Sequence, residues 1–430
     1  MVFYNSMHKN SFFNNHKIRF KNNNLRFLEF TKVWKSTKIG EIADIVGGGT
    51  PRTEVEEYWD GEIKWFTPSE IGKTKYIFDS KRHITDKGLK NSSAKLLPKD
   101  TILLSSRATV GEISIALTEC STNQGFQSLI TKNNVDNDFI YYLISTIKNE
   151  FLRRSSGSTF LEISKNEIKR IPINIPELSE QNKISNLFSA IDNKIEMLEK
   201  KHQYYQDFKK YLMQRIFSSQ DDKLRFDNSS KIQKEIQLSD VISIINKRNK
   251  NDENIPVLSI SNKFGFISQT EQFEDREVAS SDKKNYKIVN KGEFAYNPAR
   301  INVGSIAQLK NYEKGIISPM YIVFKVDSNV LNQTYFENFL DSDYFRYEMM
   351  KRLEGSVRMI LSADSLKNIK ITIPSIDEQE KLSKVFLAFD KKIKITKYQL
   401  DKTQEFKKGL LQQMFVVQLI LSLLQNKKHI

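Results

Sequence analysis

The amino-acid sequence predicts an α+β fold: two mixed α/β domains separated by two long antiparallel helices that form a coiled coil, with a pseudo-twofold internal repeat. Residues 168–217 align without a gap on residues 366–415 at an offset of 198, and about two in five positions are identical. In each copy, alternating isoleucines predict a half-buried strand that ends at a proline. A heptad pattern of apolar residues follows and predicts a long helix.

The repeat divides the chain into seven predicted segments. Residues 1–33 form a basic, poorly ordered extension, and residues 34–177 form the first mixed domain. A central spacer helix covers residues 178–218 and is followed by a linker over residues 219–235. The second mixed domain covers residues 236–375, the distal spacer helix residues 376–415, and a C-terminal extension residues 416–430.

Each predicted helix carries an apolar seam, which is also a candidate partner interface. The seam of the first helix comprises Ile184, Phe188, Ile191, Ile195, Leu198, Tyr205 and Leu212. The seam of the second helix comprises Leu382, Phe386, Phe389, Ile393, Leu400 and Leu410. Helices of about 38 residues, roughly 55–60 Å long, need a cover for such a stripe. Antiparallel packing of the two helices provides it, and packing of each helix on its own domain is the alternative.

Two lysines interrupt the seam at equivalent positions. Lys209 and Lys407 are related by the offset of 198. A lysine at a seam position either extends its charged end to solvent or specifies the register of the helices. The sequence leaves both interpretations open.

The charge of the chain favours a polyanionic partner. The net charge is +15 and the isoelectric point is about 9.4, and Lys and Arg gain affinity by releasing counterions from phosphates. A basic surface without a partner is the alternative. One cysteine, Cys120, cannot form an internal disulfide, which is consistent with a cytoplasmic protein. The apolar stretch 416–424 is shorter than the roughly 20 residues of a membrane helix.

Motifs of catalysis are weak throughout the chain. Residues 71–74 (Ile-Gly-Lys-Thr) resemble the end of a phosphate-binding loop, but Thr67 replaces the glycine that the motif requires. The Glu-x-Lys pattern at residues 62–64 recurs at residues 167–169, which indicates chance, and residues 297–300 match an adenine-binding loop incompletely. The five histidines lack metal-ligand spacing. We therefore predict a chain without catalytic residues and without a metal site.

Two basic domains on a spacer suit a protein that reads two separated DNA half-sites. Duplex DNA presents equivalent major-groove faces at helical-turn intervals. Arg and Lys contact guanine, Asn and Gln contact adenine, and most basic residues contact phosphate. The sequence does not separate base contacts from phosphate contacts.

A series of motifs covers residues 34–415. They are Trp34-Lys35, residues 39–43 (Ile-Gly-Glu-Ile-Ala), residues 47–51 (Gly-Gly-Gly-Thr-Pro), residues 65–68 (Trp-Phe-Thr-Pro), residues 106–111 (Ser-Arg-Ala-Thr-Val-Gly) and a doubled Pro-x-x-x-Glu-Gln at residues 176–181 and 374–379. Together they resemble the specificity subunits of type I restriction–modification enzymes. The second domain departs from the first, since residues 254–260 replace the glycine-rich opening.

The resemblance implies two target-recognition domains that each read one half of a bipartite, asymmetric DNA site. It implies that the helices set the gap and dock two methyltransferase subunits, which bind S-adenosylmethionine and methylate adenine N6. Two restriction subunits, which use ATP and Mg, would join the full complex, and this chain would bind no cofactor. The alternatives are a stand-alone DNA methyltransferase or nuclease and a non-specific nucleic-acid-binding scaffold.

The resemblance also directs attention to basic residues near the DNA-facing loops. Arg107 and Arg300 are the first candidates, because they occupy similar motifs in the two copies. The further candidates for phosphate or base contacts are Arg52, Lys73, Lys75, Arg153, Arg154, Arg352 and Arg358. For each of them, a solvated surface charge is the alternative.

Overall fold

The chain forms two compact units that each contain one end of both long helices. The computed structural model describes residues 18–21, 24–157, 161–218, 234–262, 264–268, 283–355 and 359–416. The first unit contains residues 1–197 and 399–430, and the second contains residues 198–398. Each unit therefore combines a mixed α/β domain with half of each helix.

Twelve strands and five short helices are described in the domain of the first unit. The strands are β1 (Ile18–Lys21), β2 (Asn24–Phe27), β3 (Lys35–Lys38), β4 (Ala43–Gly47), β5 (Trp59–Phe66), β6 (Tyr76–Ile77), β7 (Arg82–Ile84), β8 (Ile102–Leu104), β9 (Ile113–Ala116), β10 (Ser121–Thr122), β11 (Gln127–Thr131) and β12 (Pro172–Ile175). The helices are α1 (Ile39–Ile42), α2 (Asp86–Lys90), α3 (Asn137–Thr146), α4 (Lys148–Arg154) and α5 (Lys165–Arg170). The largest sheet has the order β4-β11-β8-β9-β6, and a smaller one has the order β10-β5-β7.

The domain of the second unit repeats part of this plan. Its described strands are β13 (Lys234–Gln237), β14 (Ile242–Ile245), β15 (Leu258–Ser261), β16 (Gly265–Ser268), β17 (Lys287–Asn290), β18 (Phe294–Tyr296), β19 (Ile306–Gln308), β20 (Lys314–Ile317), β21 (Ile322–Val326) and β22 (Lys370–Ile373). The short helices are α7 (Gln333–Leu340), α8 (Asp343–Met350) and α9 (Ala363–Lys367). The predicted isoleucine strands are confirmed as β12, which pairs with β3, and β22, which pairs with β13.

The long helices predicted from the heptad pattern are confirmed. Helix α6 covers Leu178–Ile216 and has 39 residues, and helix α10 covers Ile376–Leu411 and has 36. The buried seam residues are Ile184, Phe188, Ile191, Leu212, Leu382, Phe386, Leu400 and Leu410. The half-buried ones are Ile195, Leu198, Tyr205, Phe389 and Ile393. The buried seam side chains are covered by the chain itself, whereas a partner interface at the half-buried ones stays a prediction.

Two symmetry-related ion pairs decide the role of the seam lysines. In the first unit, the Lys407 Nζ lies 2.5 Å from an Asp192 carboxylate oxygen. In the second unit, the Lys209 Nζ lies 2.6 Å from an Asp390 carboxylate oxygen. The offset of 198 relates both aspartates and both lysines. Each lysine thus pairs with the opposite, antiparallel helix and specifies register, as polar seam residues do.

The end of each long helix enters the core beside the other copy's domain. In the first unit the Phe415 ring, at the end of α10, lies 5.4 Å from Phe139 and 5.9 Å from Phe188. In the second unit the Phe217 ring, at the end of α6, lies 5.0 Å from Tyr335 and 6.2 Å from Phe386. The helices therefore pack on each other and on a domain at the same time, so both predicted ways of covering the seam occur.

The doubled Pro-x-x-x-Glu-Gln motif connects each long helix to its domain. The Gln181 side chain donates to the Pro176 carbonyl and accepts from the Asp136 amide, and Asp136 is the N-cap of α3. In the second unit, Gln379 makes the equivalent bonds to Pro374 and to Asn332, the N-cap of α7. The most distinctive repeat in the sequence is therefore structural.

One sequence prediction for the N-terminal region is wrong. The sequence predicts a poorly ordered extension over residues 1–33, but Leu25 and Phe27 are buried in the core of the first unit. Between them, the Arg26 guanidinium donates to both carboxylate oxygens of Glu180 at 2.6 Å. Trp34 adds a bond to the same carboxylate at 3.3 Å. Burying an unpaired charge is costly, so an arginine normally lies at the surface. Arg26 can be buried because its charge is paired with the Glu180 carboxylate. Residues 1–17 lie outside the described residues.

Candidate nucleic-acid interface

Three loops of the first unit meet at one edge of its sheets. The Gly49 amide donates to the Thr122 carbonyl at 2.8 Å, and the Ser106 amide donates to the Gly125 carbonyl at 2.7 Å. The segment 122–125 therefore joins the glycine-rich loop 47–52 to the turn 105–111. This loop cluster exposes Arg52, Gln124 and Arg107.

Two tryptophans hold the glycine-rich loop in place. The Trp65 indole donates to the Gly49 carbonyl at 2.9 Å, and the Trp59 indole donates to the Arg52 carbonyl at 3.1 Å. A Cβ on Gly48 would lie 2.2 Å from the Asn123 carbonyl oxygen, so this position requires glycine. The backbone of the loop is thus fixed from the inside of the domain, and the Arg52 side chain is exposed.

A tight turn presents Arg107. The Thr109 amide donates to the Arg107 carbonyl at 2.7 Å across Ala108, whose φ is +61°. The Ser105 hydroxyl donates to the Thr109 carbonyl and accepts from the Glu112 amide. A left-handed alanine is uncommon, and such strain concentrates at functional sites. The turn also contacts a neighbouring loop, since the Ile163 amide donates to the Ser106 carbonyl and Arg107 forms an ion pair with Glu162.

The second unit presents Arg300 in a corresponding turn that has one more residue before the arginine. The Leu361 amide donates to the Pro298 carbonyl at 3.1 Å, which repeats the bond between Ile163 and Ser106. Arg300 precedes the 3-10 turn Ile301–Val303 and is exposed. Both candidate arginines thus lie beside the loop that carries the repeated glycine, Gly157 in one copy and Gly355 in the other.

Lys73 lies on an exposed turn near the same edge of the first unit. Its neighbour Gly72 has a φ of +85°, and the Gly72 amide donates to the Ser114 hydroxyl at the beginning of β9. Strand β9 follows the Arg107 turn. Hydrogen bonds thus connect the loops that carry Arg52 and Arg107, and the Lys73 turn contacts strand β9, which follows the Arg107 turn.

Other candidates are engaged in ion pairs within the chain. Arg153 and Arg154 pair with Glu150, and Arg154 also pairs with Glu167. Burial opposes the ionisation of Glu150, but hydrogen bonds from both arginines outweigh it and keep the pKa of Glu150 below its usual value. Arg352 pairs with Glu348 in the same way. These pairs are related by the offset of 198, so their repeated role is to fix helix ends, and Arg153 remains the more exposed group.

The assignment of Lys75 to DNA contact is wrong. Its side chain is only 10% exposed, and its Nζ donates to the Tyr142 hydroxyl and the Ser189 hydroxyl, both at 3.0 Å. Asp138 lies 3.2 Å away. Burial lowers the pKa of Lys75, and the nearby carboxylates only partly oppose this effect. Lys75 thus connects the domain to α3 and α6, and phosphate cannot reach it.

Arg358 lies outside the described residues.

The long helices also expose large apolar side chains that the heptad pattern did not single out. In the second unit, Tyr204 and Tyr211 of α6 are 60% and 50% exposed, and Tyr204 stacks on Phe208 at 5.9 Å. On α10, Leu387, Ile395 and Tyr398 are also exposed. The spacing of Tyr204 and Tyr211, one heptad apart on the side that does not form the seam, was the signal available in the sequence.

The described ranges contain neither a cluster of metal-ligating side chains nor a membrane-spanning helix. No group of three or more His, Cys, Asp or Glu side chains there could hold a metal ion. No helix among the described residues has the length and apolarity needed to cross a membrane.

Comparison with known families decides the relationship. A family model described as the type I restriction modification DNA specificity domain matches residues 31–204 and 232–404. The chain belongs to this family. The two matches coincide with the two copies of the internal repeat, so the predicted resemblance and the predicted fold class are confirmed.

Specificity subunits from Methanocaldococcus jannaschii are among the relatives of this family member. The MjaIX subunit is 40% identical over 176 residues, which cover 40% of this chain and 41% of the relative. The MjaVIII subunit is 24% identical over 404 residues, or 88% of this chain and 91% of the relative. The MjaIX match therefore spans less than half of that relative's length.

Solved structures of the family share the fold. The S subunit of a type I restriction–modification system from M. genitalium has a TM-score of 0.58 at 18% identity, and the alignment covers 93% of this chain and 98% of that one. A chain from a type I system, solved to describe complex assembly and conformational transition, has a TM-score of 0.54 at 14% identity and covers 90% of this chain and 98% of that one. At this identity the likeness concerns the fold alone.

Proposed function

We propose that this chain is the DNA sequence-recognition subunit of a type I restriction–modification complex and has no catalytic role of its own. Each α/β domain reads one half of a bipartite, asymmetric DNA site. The observation that carries the proposal is the pair of arginine turns: Arg107 and Arg300 lie one and two residues after the carbonyl that the neighbouring loop binds, in two otherwise different domains. Family membership and a net charge of +15 support it.

The difference between the two loop clusters supports an asymmetric site. The first unit exposes Arg52, Gln124 and Arg107, whereas the second exposes Arg300 and has no glycine-rich opening loop. Direct readout depends on which donors and acceptors face the bases, so different side chains select different sequences. Similar scaffolds with different loops would therefore read different half-sites.

Replacing Arg107 tests the assignment of the first unit. Arg107→Ala is expected to weaken DNA binding by about 1–3 kcal/mol and to alter base preference in one half-site only. Arg300→Ala is the matched variant and should act on the other half-site. Binding of the full-length variants to duplexes mutated in each half-site measures both effects. A uniform loss on all sequences would make Arg107 a phosphate contact, and no loss with either variant would contradict the proposal.

The gap between half-sites is proposed to depend on the lengths of α6 and α10. Inserting seven residues into both helices, after Lys200 and at the equivalent place after Tyr398, adds about 10 Å of helix and keeps the seam in phase. The preferred gap should grow by about three base pairs, with both half-sites unchanged. Methylated motifs in cells that carry the gene and its cognate methyltransferase measure it. Insertion into α6 alone is the control, because it breaks the register set by Lys209 and Lys407.

The exposed aromatic residues of the helices support a docking role. Contiguous exposed apolar patches mark protein interaction sites, and Tyr204 and Tyr211 are exposed one heptad apart on the same helix. We propose that methyltransferase subunits dock on this face, bind S-adenosylmethionine and methylate adenine N6. In the full complex two methyltransferase and two restriction subunits, the latter with ATP and Mg, would supply all the chemistry.

A further inference from the structure

We propose that Glu162 positions the Arg107 guanidinium so that its two terminal amino groups bind a guanine in the half-site read by the first unit. This inference rests on the proposed function. It adds a positioning residue and a specific base to it.

The ion pair between these residues uses the inner nitrogen of the arginine. Arg107 Nε lies 2.8 Å from Glu162 Oε2, and the side chains are 47% and 39% exposed. The terminal Nη groups of Arg107 donate no hydrogen bond within the described part of the chain. Among the described residues the Nε group donates no hydrogen bond to this carboxylate, so the ion pair restrains the inner end of the guanidinium by charge alone. Its outer end remains available to a ligand.

The backbone around Glu162 and Arg107 is rigid on both sides. The Ser156 and Glu162 amides and carbonyls exchange two hydrogen bonds of 2.9 Å, and the Ile163 amide holds the Ser106 carbonyl. On the other side, the Ser105 hydroxyl closes the turn that contains the left-handed Ala108. Holding a long side chain in one conformation before binding reduces the entropy lost on binding.

Stability does not account for this ion pair. Exposed ion pairs contribute little to folding, because solvent screens them and ordering two long side chains costs entropy. Their geometry nevertheless fixes the direction of the guanidinium. A pair placed beside the strained turn of a loop cluster is therefore better explained by orientation of Arg107 than by folding.

The two terminal Nη groups of Arg107 favour guanine over the other bases. In the major groove guanine offers two acceptors, O6 and N7, which match two parallel N–H donors. Adenine offers one acceptor and one donor, so the second N–H of arginine has no partner there. A phosphate also accepts two bonds but carries no sequence information. An arginine whose inner nitrogen is occupied approaches guanine with its two outer groups.

The second unit has no carboxylate at the position of Glu162, so the two units can be compared within one chain. The repeat offset of 198 places Ile360 at the position of Glu162. The same backbone bridge exists there, between Glu354 and Ile360. Among the described residues Arg300 forms no ion pair, so nothing equivalent orients it. We therefore expect only the first half-site to depend on a carboxylate.

The test is selection of duplexes randomised across both half-sites by the full-length chain with its cognate methyltransferase subunits. The wild type should enrich guanine about tenfold or more at one position of the first half-site. Arg107→Ala should abolish this preference. Glu162→Ala should reduce it by about threefold or more, while Glu162→Gln, which retains an acceptor but no charge, should give an intermediate value. The second half-site should not change.

A matched control removes another exposed ion pair. Glu253 pairs with Lys314 in the second unit and is 44% exposed, close to the 39% of Glu162. Glu253→Ala should leave the first half-site unchanged, and equal melting temperatures would show that all variants fold.

An unaltered guanine preference in Glu162→Ala would overturn the inference while the proposed function stands. A wild type that selects no motif would overturn both.

Discussion

Glu180→Ala is expected to destabilise the first unit by about 3–5 kcal/mol, because it leaves the Arg26 guanidinium buried without its partner. The Glu180 side chain is fully buried, the Arg26 side chain is 9% exposed, and two hydrogen bonds of 2.6 Å join them. The expected result is thus a large effect from a residue outside the loop cluster.

Tryptophan fluorescence during urea unfolding measures this effect in the right place. All three tryptophans, Trp34, Trp59 and Trp65, belong to the first unit. The double variant Arg26→Met with Glu180→Leu should cost much less than Glu180→Ala, because no charge remains buried. Glu177→Ala is the matched control, because Glu177 lies three residues before Glu180 and forms an exposed ion pair with Lys32. Its loss should lower the stability much less. Equal losses for Glu177→Ala and Glu180→Ala would contradict the buried-pair explanation.

The duplication explains why the fold was predictable from the sequence. Each element is encoded twice, at equivalent positions of the two copies. A strand, proline or helix pattern that occurs in both copies is therefore less often due to chance. Helices α6 and α10 and strands β12 and β22 lie where the repeat predicts them. The register of the two helices was not predictable. The pairing of Lys407 with Asp192 depends on which residues of α6 and α10 lie opposite each other.

Burial of single charged residues was the part that sequence reasoning missed. Lys75 and Arg26 resemble surface cations in the sequence, and both are covered in the structure. For Lys75 no pattern indicated the hydroxyls of Tyr142 and Ser189, which are distant in sequence. For Arg26 a signal existed: Leu25-Arg26-Phe27 recurs as Leu-Arg-Phe at residues 224–226. That second occurrence lies outside the described residues.

The candidate interface was predictable in part for a physical reason. The motif around Arg107 requires a left-handed residue and a glycine, Gly111 with a φ of +85°, so the turn itself leaves a sequence signature. The partner Glu162 leaves none, since an exposed carboxylate is common and the loop that carries it is brought close only by folding. Sequence patterns identify strained backbone more readily than side-chain pairs.

Phe415→Ala is expected to destabilise the first unit by about 3–5 kcal/mol, although residue 415 lies more than 200 residues from that unit's domain in the sequence. Its ring is 1% exposed and contacts Trp34 at 6.2 Å and Phe139 at 5.4 Å. Loss of the ring leaves a cavity among aromatic side chains that cannot collapse fully. The urea midpoint followed by tryptophan fluorescence should decrease accordingly.

Phe217→Ala is the symmetry-related control, because Phe217 occupies the equivalent place in the second unit. It should lower the stability of the second unit, visible in far-ultraviolet circular dichroism, and leave the tryptophan transition nearly unchanged. If Phe415→Ala leaves the tryptophan transition where it is in the wild type, the end of α10 does not complete the first core. In each unit, the core therefore also includes the end of the long helix that follows the domain of the other unit. Under the proposed function, a fixed gap between half-sites requires domains that are anchored to both helices in this way.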